Sequence, residues 1–143
     1  MVIVYADDRE KSSKVPELLM TKGVTVIFKT LDVGDYIVSE RIGIERKKAL
    51  DFIKSLVDGR LFDQARRLSE VFEKPVVVIE GSLRKAMKLT NVKKSSILGA
   101  YLALGLDMGI VIITTRDEDE TAEIIKRIAI REQEKRGGFK AIQ

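Results

Sequence analysis

The chain has 143 residues with no cysteine and no histidine; 34% are charged, and 26 basic against 22 acidic side chains give a net charge of +4. These absences exclude disulfides, zinc sites, iron–sulfur clusters and histidine-based acid–base chemistry, so any catalysis falls to carboxylates, Lys, Arg, Ser, Thr or Tyr, and any metal site needs oxygen ligands, which favours magnesium or manganese. The length suits one domain with its own core; with no signal-peptide layout at Met1–Ala6 and no apolar run near the roughly 20 residues that span a bilayer, a soluble intracellular protein is expected.

Val2 to Ala6 is a short apolar run with β-branched residues and reads as a buried strand. It leads into Asp7-Asp8-Arg9-Glu10. An open α/β sheet gathers functional groups just past the carboxyl ends of its strands, although the same four residues also suit an acidic turn into a helix. That helix is expected to be capped by Ser12 or Ser13, to take Pro16 in its first turn, to bury Val15, Leu18 and Leu19, and to close at Gly23. Val24 to Phe28 follows as a second strand.

Gly34 to Asp51, GDYIVSERIGIERKKALD, reads as strand, turn, strand and helix start. Alternation puts Tyr36 and Val38 on one face of the first strand, and Ile42 and Ile44 on one face of the second. Matching these faces sets Val38 opposite Ile42 and Tyr36 opposite Ile44. It leaves Ser39 to Arg41 as the loop and brings Asp35 across from Glu45, with Lys47 on their face. Carboxylates opposed across a ladder repel. A hard divalent cation relieves this, binding through one or two carboxylates and substrate phosphate oxygens, and an ammonium beside it can hold or deprotonate an attacking water. The pattern also fits a solvated hairpin with a charged outer face.

Ala49 to Val57 reads as a helix with Leu50, Ile53 and Val57 as its apolar stripe and Asp51 in its first turn, where the helix N-terminus favours a carboxylate. Gly59 breaks the pattern, and a second helix is expected from about Leu61 to Glu73, with Leu61, Phe62, Ala65, Leu68 and Phe72 at helical spacing. Val76 to Glu80 is an unbroken apolar run closing on an acid, as in a central parallel strand buried on both faces. Glu80 would then lie at the same sheet edge as the hairpin carboxylates. From Gly81 through Leu106 there is no acidic residue, whereas Arg84, Lys85, Lys88, Lys93 and Lys94 are basic. This segment is a candidate phosphate-binding surface or a solvated helix face.

A helix from about Ser95 to Leu106 carries Ile97, Leu98, Tyr101, Leu102 and Leu106, and Ile110 to Thr114 is the last strand. Asp117 caps a final helix running to about Lys135, with Glu120 at the capping-box position. Its apolar residues Ile124, Ile125, Ile128, Ala129 and Ile130 form a stripe wide enough for a core and a partner. Gly137-Gly138 opens a tail to Gln143 that reads as linker. Alternating strands and helices indicate an α/β domain over residues 1–136, a central mixed sheet flanked by helices on both faces.

Gly34-Asp35-Tyr36, then Glu45-Arg46-Lys47 and Asp51, resemble the GDY, ERKxxxD pattern of the XPF family of structure-specific DNA endonucleases, within the restriction-endonuclease-like PD-(D/E)xK class. Asp8, Arg9 and Glu10 look like that family's early D-x-R-E element. Gly59-Arg60-Leu61 with Gln64, Arg67 and Leu68, and the run PVVVIEG, are similar to it as well. The resemblance implies a metal-dependent endonuclease in which Asp35, Glu45 and Asp8 hold Mg2+ or Mn2+, Lys47 orients or deprotonates the attacking water, and Arg9 or Arg46 steadies the phosphate. Glu10, Asp51, Arg60 and Glu80 would support the site, Glu80 as a partner of Lys47 or of a water. It further implies branched or forked DNA as substrate, a homodimer through the C-terminal helices, and a helix-hairpin-helix domain after the nuclease. One archaeal branch also carries a helicase. A cytoplasmic, nucleoid-associated DNA repair protein is the corresponding expectation. Other members of the family are non-catalytic DNA-binding platforms, and the intact Glu45-Arg46-Lys47 argues against that alternative.

Overall fold

The computed structural model describes residues 1–136; the expected linker lies outside them. In chain order the elements are β1 (Ile3–Asp7), α1 (Val15–Thr21), β2 (Thr25–Lys29), β3 (Tyr36–Ile37), β4 (Ile42–Lys48), α2 (Ala49–Val57), α3 (Leu61–Val71), β5 (Lys74–Glu80), α4 (Leu83–Lys88), α5 (Lys94–Leu102), β6 (Val111–Thr115) and α6 (Glu118–Arg136). The strands form one mixed sheet in the order β2-β1-β3-β4-β5-β6. β3 is antiparallel to both its neighbours, β1 and β4, and the remaining pairs are parallel.

Alternation along the central strands builds two cores. Val76 and Val78 of β5 join Tyr36, Ile44, Val4 and Ala6 beneath α1 and α6. Val77 and Ile79 point the other way, under α2, α3, α4 and α5. This is the doubly buried strand expected from an unbroken apolar run, and it yields the expected architecture of helices on both faces.

The hairpin takes its expected register, Tyr36 opposite Ile44, with Val38 N–H donating to the Ile42 carbonyl at 3.2 Å. Its loop is fastened from below. Ser39 Oγ accepts from the amides of Arg41 and Ile42 and donates to Glu132 Oε1 at 2.8 Å, while Arg41 grips the same carboxylate through Nε at 2.9 Å. Glu132 is buried near the end of α6, so that helix fixes the hairpin as well as covering the core. Gly43 faces the Phe72 ring, and a Cβ there would run into it. This close approach holds β4 tight against the chain leaving α3.

The basic segment contains a short helix, α4, in keeping with the helix-face alternative; Ser82 caps it by accepting from the Lys85 amide at 3.1 Å. The acidic cluster after β1 forms a 3-10 turn, Asp8–Ser12, capped by Asp7. The α6 stripe turns mainly inward: Ala122, Ile125 and Ala129 are buried, Ile124 and Ile128 are half-buried on the same core, and Ile130 is half-buried beside them in sequence. Apolar surface lies instead on α5 and the turn after it, where Ile97, Ala100 and Leu104 are buried while Leu98, Leu102 and Leu106 face out.

Candidate active site

An open cleft of about 270 Å³ lies between the hairpin and α3, lined by Arg9, Asp32, Val33, Gly34, Asp35, Glu45, Arg46, Lys47, Gln64 and Arg67. Its floor follows from strand alternation. Tyr36 and Ile44 are committed to the core beneath α1 and α6, so their neighbours Asp35 and Glu45 must face the other way, toward α3, and Lys47 shares that side. The polypeptide reaches this geometry through Gly34, whose φ of +85° belongs to the left-handed region that glycine tolerates.

Asp35 is held by three hydrogen bonds. Its amide donates to the Ile44 carbonyl and its carbonyl accepts from the Asp7 amide, both at 2.8 Å, and its Oδ2 accepts from the Arg46 amide at 2.8 Å. Burial pushes its pKa up to about 7; the Arg46 amide opposes this, and the charges of Glu10, Glu45 and Asp7 reinforce it. Glu45 is also raised, mainly by burial, against the pull of Lys47 and Arg67. Lys47 donates through Nζ to Gln64 Oε1 at 2.6 Å.

Two half-buried carboxylates whose ionised forms burial penalises make a hard-oxygen donor pair that a divalent cation would satisfy. Among the described residues, no group of three or more acidic side chains is gathered to enclose a metal. The donor set therefore suits a cation such as Mg2+ or Mn2+ that completes its shell with water and substrate phosphate, rather than an all-protein cage.

Asp8 does not reach the cleft. Its Oδ2 accepts from Thr30 Oγ1 at 2.8 Å and Lys11 lies 3.5 Å from its other oxygen. The buried acid of this segment is Asp7, 1% exposed, which accepts from the Leu31 amide at 2.8 Å and from Arg9, a residue of the cleft lining, through both its amide and Nε, the latter at 2.6 Å. The Arg9 bond, outweighing the cost of burial, holds the Asp7 pKa below its ordinary value. Asp7 thus anchors an arginine whose side chain is 78% exposed. The D-x-R-E spacing contains this answer, because the aspartate two positions before Arg9 is Asp7.

Arg46 turns its guanidinium away from the cleft, as strand alternation requires of a residue between Glu45 and Lys47. The side chain is 7% exposed and pairs with Glu80 at 2.7 Å, Glu10 at 3.4 Å and Glu118 at 3.5 Å. Its contribution to the cleft is the amide that binds Asp35. Glu80 accordingly partners Arg46 and Thr121, not Lys47. Glu10 accepts from Tyr36 Oη at 2.6 Å and belongs to the same buried cluster.

Asp51 is exposed in the first turn of α2, and Arg60, also exposed, bonds Asp58 at 3.1 Å; neither lines the cleft. Arg84, Lys85, Lys88, Lys93 and Lys94 are all exposed along α4 and the start of α5. A larger cavity of about 670 Å³ opens between the end of α2 and residues 90–96, with Lys93 on its wall, but no cleft residue lines it. Asp35, Glu45 and Lys47 line the smaller, polar cleft. Gln64 and Arg67, part of the family likeness, are both presented to this cleft by α3, three residues apart on one helix face.

The ERCC4 domain model matches residues 6–128. The 3'-flap repair endonuclease Xpf of Saccharolobus solfataricus is 43% identical over 130 residues, covering 90% of this chain and 55% of that protein, so the chain spans about half the length of this relative. A putative ATP-dependent RNA helicase of Methanocaldococcus jannaschii is 39% identical over 91% of this chain, which spans 16% of that protein. Among solved structures, XPF from Aeropyrum pernix in complex with DNA superimposes with a TM-score of 0.86 at 42% identity, covering 95% of this chain and 67% of the other. With the domain match, the sequence identity and the superposition in agreement, the chain belongs to the ERCC4-domain family of XPF endonucleases.

Proposed function

We propose that this chain is a metal-dependent endonuclease domain that hydrolyses a phosphodiester near the junction of forked, flapped or branched DNA, in DNA repair and the processing of stalled forks, with Mg2+ or Mn2+ as the ion. The observation that carries the reading is the single face shared by Asp35, Glu45 and Lys47: two carboxylates that burial holds toward neutrality, beside a tethered ammonium. Asp35 and Glu45 would hold the cation. When bound, it supplies Lewis acidity at the phosphoryl oxygen and eases deprotonation of water near neutral pH.

The remaining work falls to the chain's own groups. Lys47, a compact ammonium on a flexible stem, orients the attacking water. Arg9 and Arg67, both at the cleft, offset phosphate charge as it develops, a part for which the always-charged guanidinium is suited. The exposed basic run from Arg84 to Lys94 carries the flanking DNA backbone.

The test is cleavage of a labelled fork and a matched linear duplex with magnesium, manganese or chelator. Junction-proximal cuts that need the metal, reduced on the order of 10³-fold in Lys47→Ala with fork binding retained, are expected; that loss equals about 4 kcal/mol of transition-state stabilisation. A wild-type chain that binds the fork and never cuts it would make this a DNA-binding platform.

The full-length protein is proposed to place a helix-hairpin-helix domain after this one and, as in the helicase-bearing relatives, a helicase with it, acting at the nucleoid in the cytoplasm. No described helix is long and apolar enough to cross a membrane. A homodimer is proposed through α5 and the edge strand β6, supported by the outward row Leu98, Leu102 and Leu106, spaced at i, i+4 and i+8, with exposed Val111 beside it on β6. Light scattering at micromolar concentration should give a dimer mass that Leu102→Glu halves; a monomeric wild type rejects this surface.

A further inference from the structure

We infer that Gln64 is the positioning residue for Lys47, a role that rests on the nuclease reading above. An ammonium carries three donors and no acceptor, on a stem with about 2 kcal/mol of rotamer entropy. Left alone beside Glu45, it would collapse onto that carboxylate, taking a ligand from the cation and leaving the water unheld. Gln64 prevents this with a neutral acceptor. Lys47 Nζ meets its Oε1 at 2.6 Å, and the assignment of oxygen to that contact is forced, because an ammonium can only donate.

A carboxylate at position 64 would bind the ammonium as well, but it would cancel the charge and crowd two acids already raised by burial. An amide fixes direction without adding charge. Its support is rigid: the Gln64 amide donates to the Arg60 carbonyl at 3.0 Å in the first turn of α3, and Leu61, Ala65 and Leu68 on either side are buried against the sheet. The Lys47 tip is therefore referenced to a helix rather than to its own chain. Lys47 leaves β4 while Gln64 stands 17 positions later, so only the folded packing of α3 on the hairpin assembles the pair.

The experiment compares Gln64→Leu and Gln64→Glu with wild type on the labelled fork. Alongside it, the lysine ammonium resonances of the metal-free protein are followed by nitrogen-15 NMR, with Lys47 assigned by its absence in Lys47→Arg. Gln64→Leu is expected to lower kcat about 10- to 100-fold, the range seen when an orienting partner is removed, with KM for the fork within about twofold and the melting temperature unchanged. Its Lys47 resonance should lose the slow proton exchange of a hydrogen-bonded ammonium, and Gln64→Glu, which keeps an oxygen there, should restore it. Wild-type turnover in Gln64→Leu overturns the assignment. So does a fall in kcat with the Lys47 resonance unchanged, or one that tracks lost stability. A wild type that does not cut sinks the nuclease reading instead, which the Gln64 comparison among active proteins cannot mimic.

Discussion

Asp35→Asn is expected to lower fork cleavage on the order of 10³-fold, equivalent to about 4 kcal/mol, and to make the metal-free protein more stable. The two effects share one cause. Folding takes the Asp35 carboxylate from an ordinary value of 3.8 to about 7, chiefly by burial. A carboxyl group whose folded pKa lies above its unfolded one costs stability once both states are ionised; here that cost is on the order of 4 kcal/mol at most, and it is relieved as pH falls from about 7 toward 4. Asparagine keeps an oxygen for the Arg46 amide and carries no charge. In chelator at pH 8, urea titration should therefore place Asp35→Asn about 1–3 kcal/mol above wild type, the rest of the cost being screened at a partly exposed site, and the gap should close by about pH 4. Metal binding follows the opposite course, since the cation needs the ionised form: wild-type affinity should fall about tenfold per pH unit below 7 and level off above it. An Asp35→Asn protein less stable than wild type at pH 8, or one that binds manganese equally well, would show that this carboxylate is not held as a ligand in waiting.

The site was legible in sequence wherever strand alternation decided it. Tyr36, Val38, Ile42 and Ile44 share a hydrophobic face, and that alone fixed the register and sent Asp35, Glu45 and Lys47 to the other side. The same rule sends Arg46 back toward the core. Reading the motif as a word, with every letter assigned to catalysis, hid what its alternation states plainly. Glu80 was misassigned for a related reason: its position at the end of β5 is evident, but which neighbour it meets depends on the parallel pairing of β4 with β5, which no local pattern encodes.

Other features had no local signal. Gln64 reaches Lys47 only because α3 packs across the hairpin, a long-range contact that spacing cannot reveal. The α5 segment is apolar on more than one side, so its sequence named it a helix without saying which side is covered. The fold resolves this by burying Ile97, Ala100 and Leu104 and leaving the leucines at 98, 102 and 106 in solvent. Conversely, α6 looked able to serve a partner because its stripe is broad; packing against both α1 and the sheet takes up most of that breadth, with Ile124, Ile128 and Ile130 half-buried.

Arg46→Met is expected to cost about 3–5 kcal/mol of folding stability, the usual penalty for removing one partner of a buried ion pair. The guanidinium holds three separated pieces together: Glu10 from the turn after β1, Glu80 at the end of β5 and Glu118 at the start of α6. Without it, Glu80, 6% exposed in wild type, keeps Thr121 Oγ1 at 2.7 Å but loses the ion pair that matches its buried charge, with only the weaker field of Lys48 left. In wild type, burial pushes Glu80 up, and the hydrogen bonds from Arg46 and Thr121 outweigh it, leaving the carboxyl below its ordinary 4.5. Such a group contributes stability above that value and loses it as pH falls, whereas a buried Glu80 without its partner is penalised only while ionised. The deficit of Arg46→Met should therefore be full at pH 7 and shrink in acid. Glu80→Gln in the same chain should recover about 1–3 kcal/mol of it, because the two residues are directly coupled. Cleavage separates this account from a phosphate role. Corrected for the folded fraction, Arg46→Met should turn over within about tenfold of wild type, no more than the low end of what losing an orienting partner costs, since the Arg46 amide that binds Asp35 survives any side-chain change. If Arg46→Met instead melts with wild type and loses cleavage by a thousandfold, the guanidinium must leave its carboxylates to meet the substrate, and the buried cluster is a resting state rather than a brace.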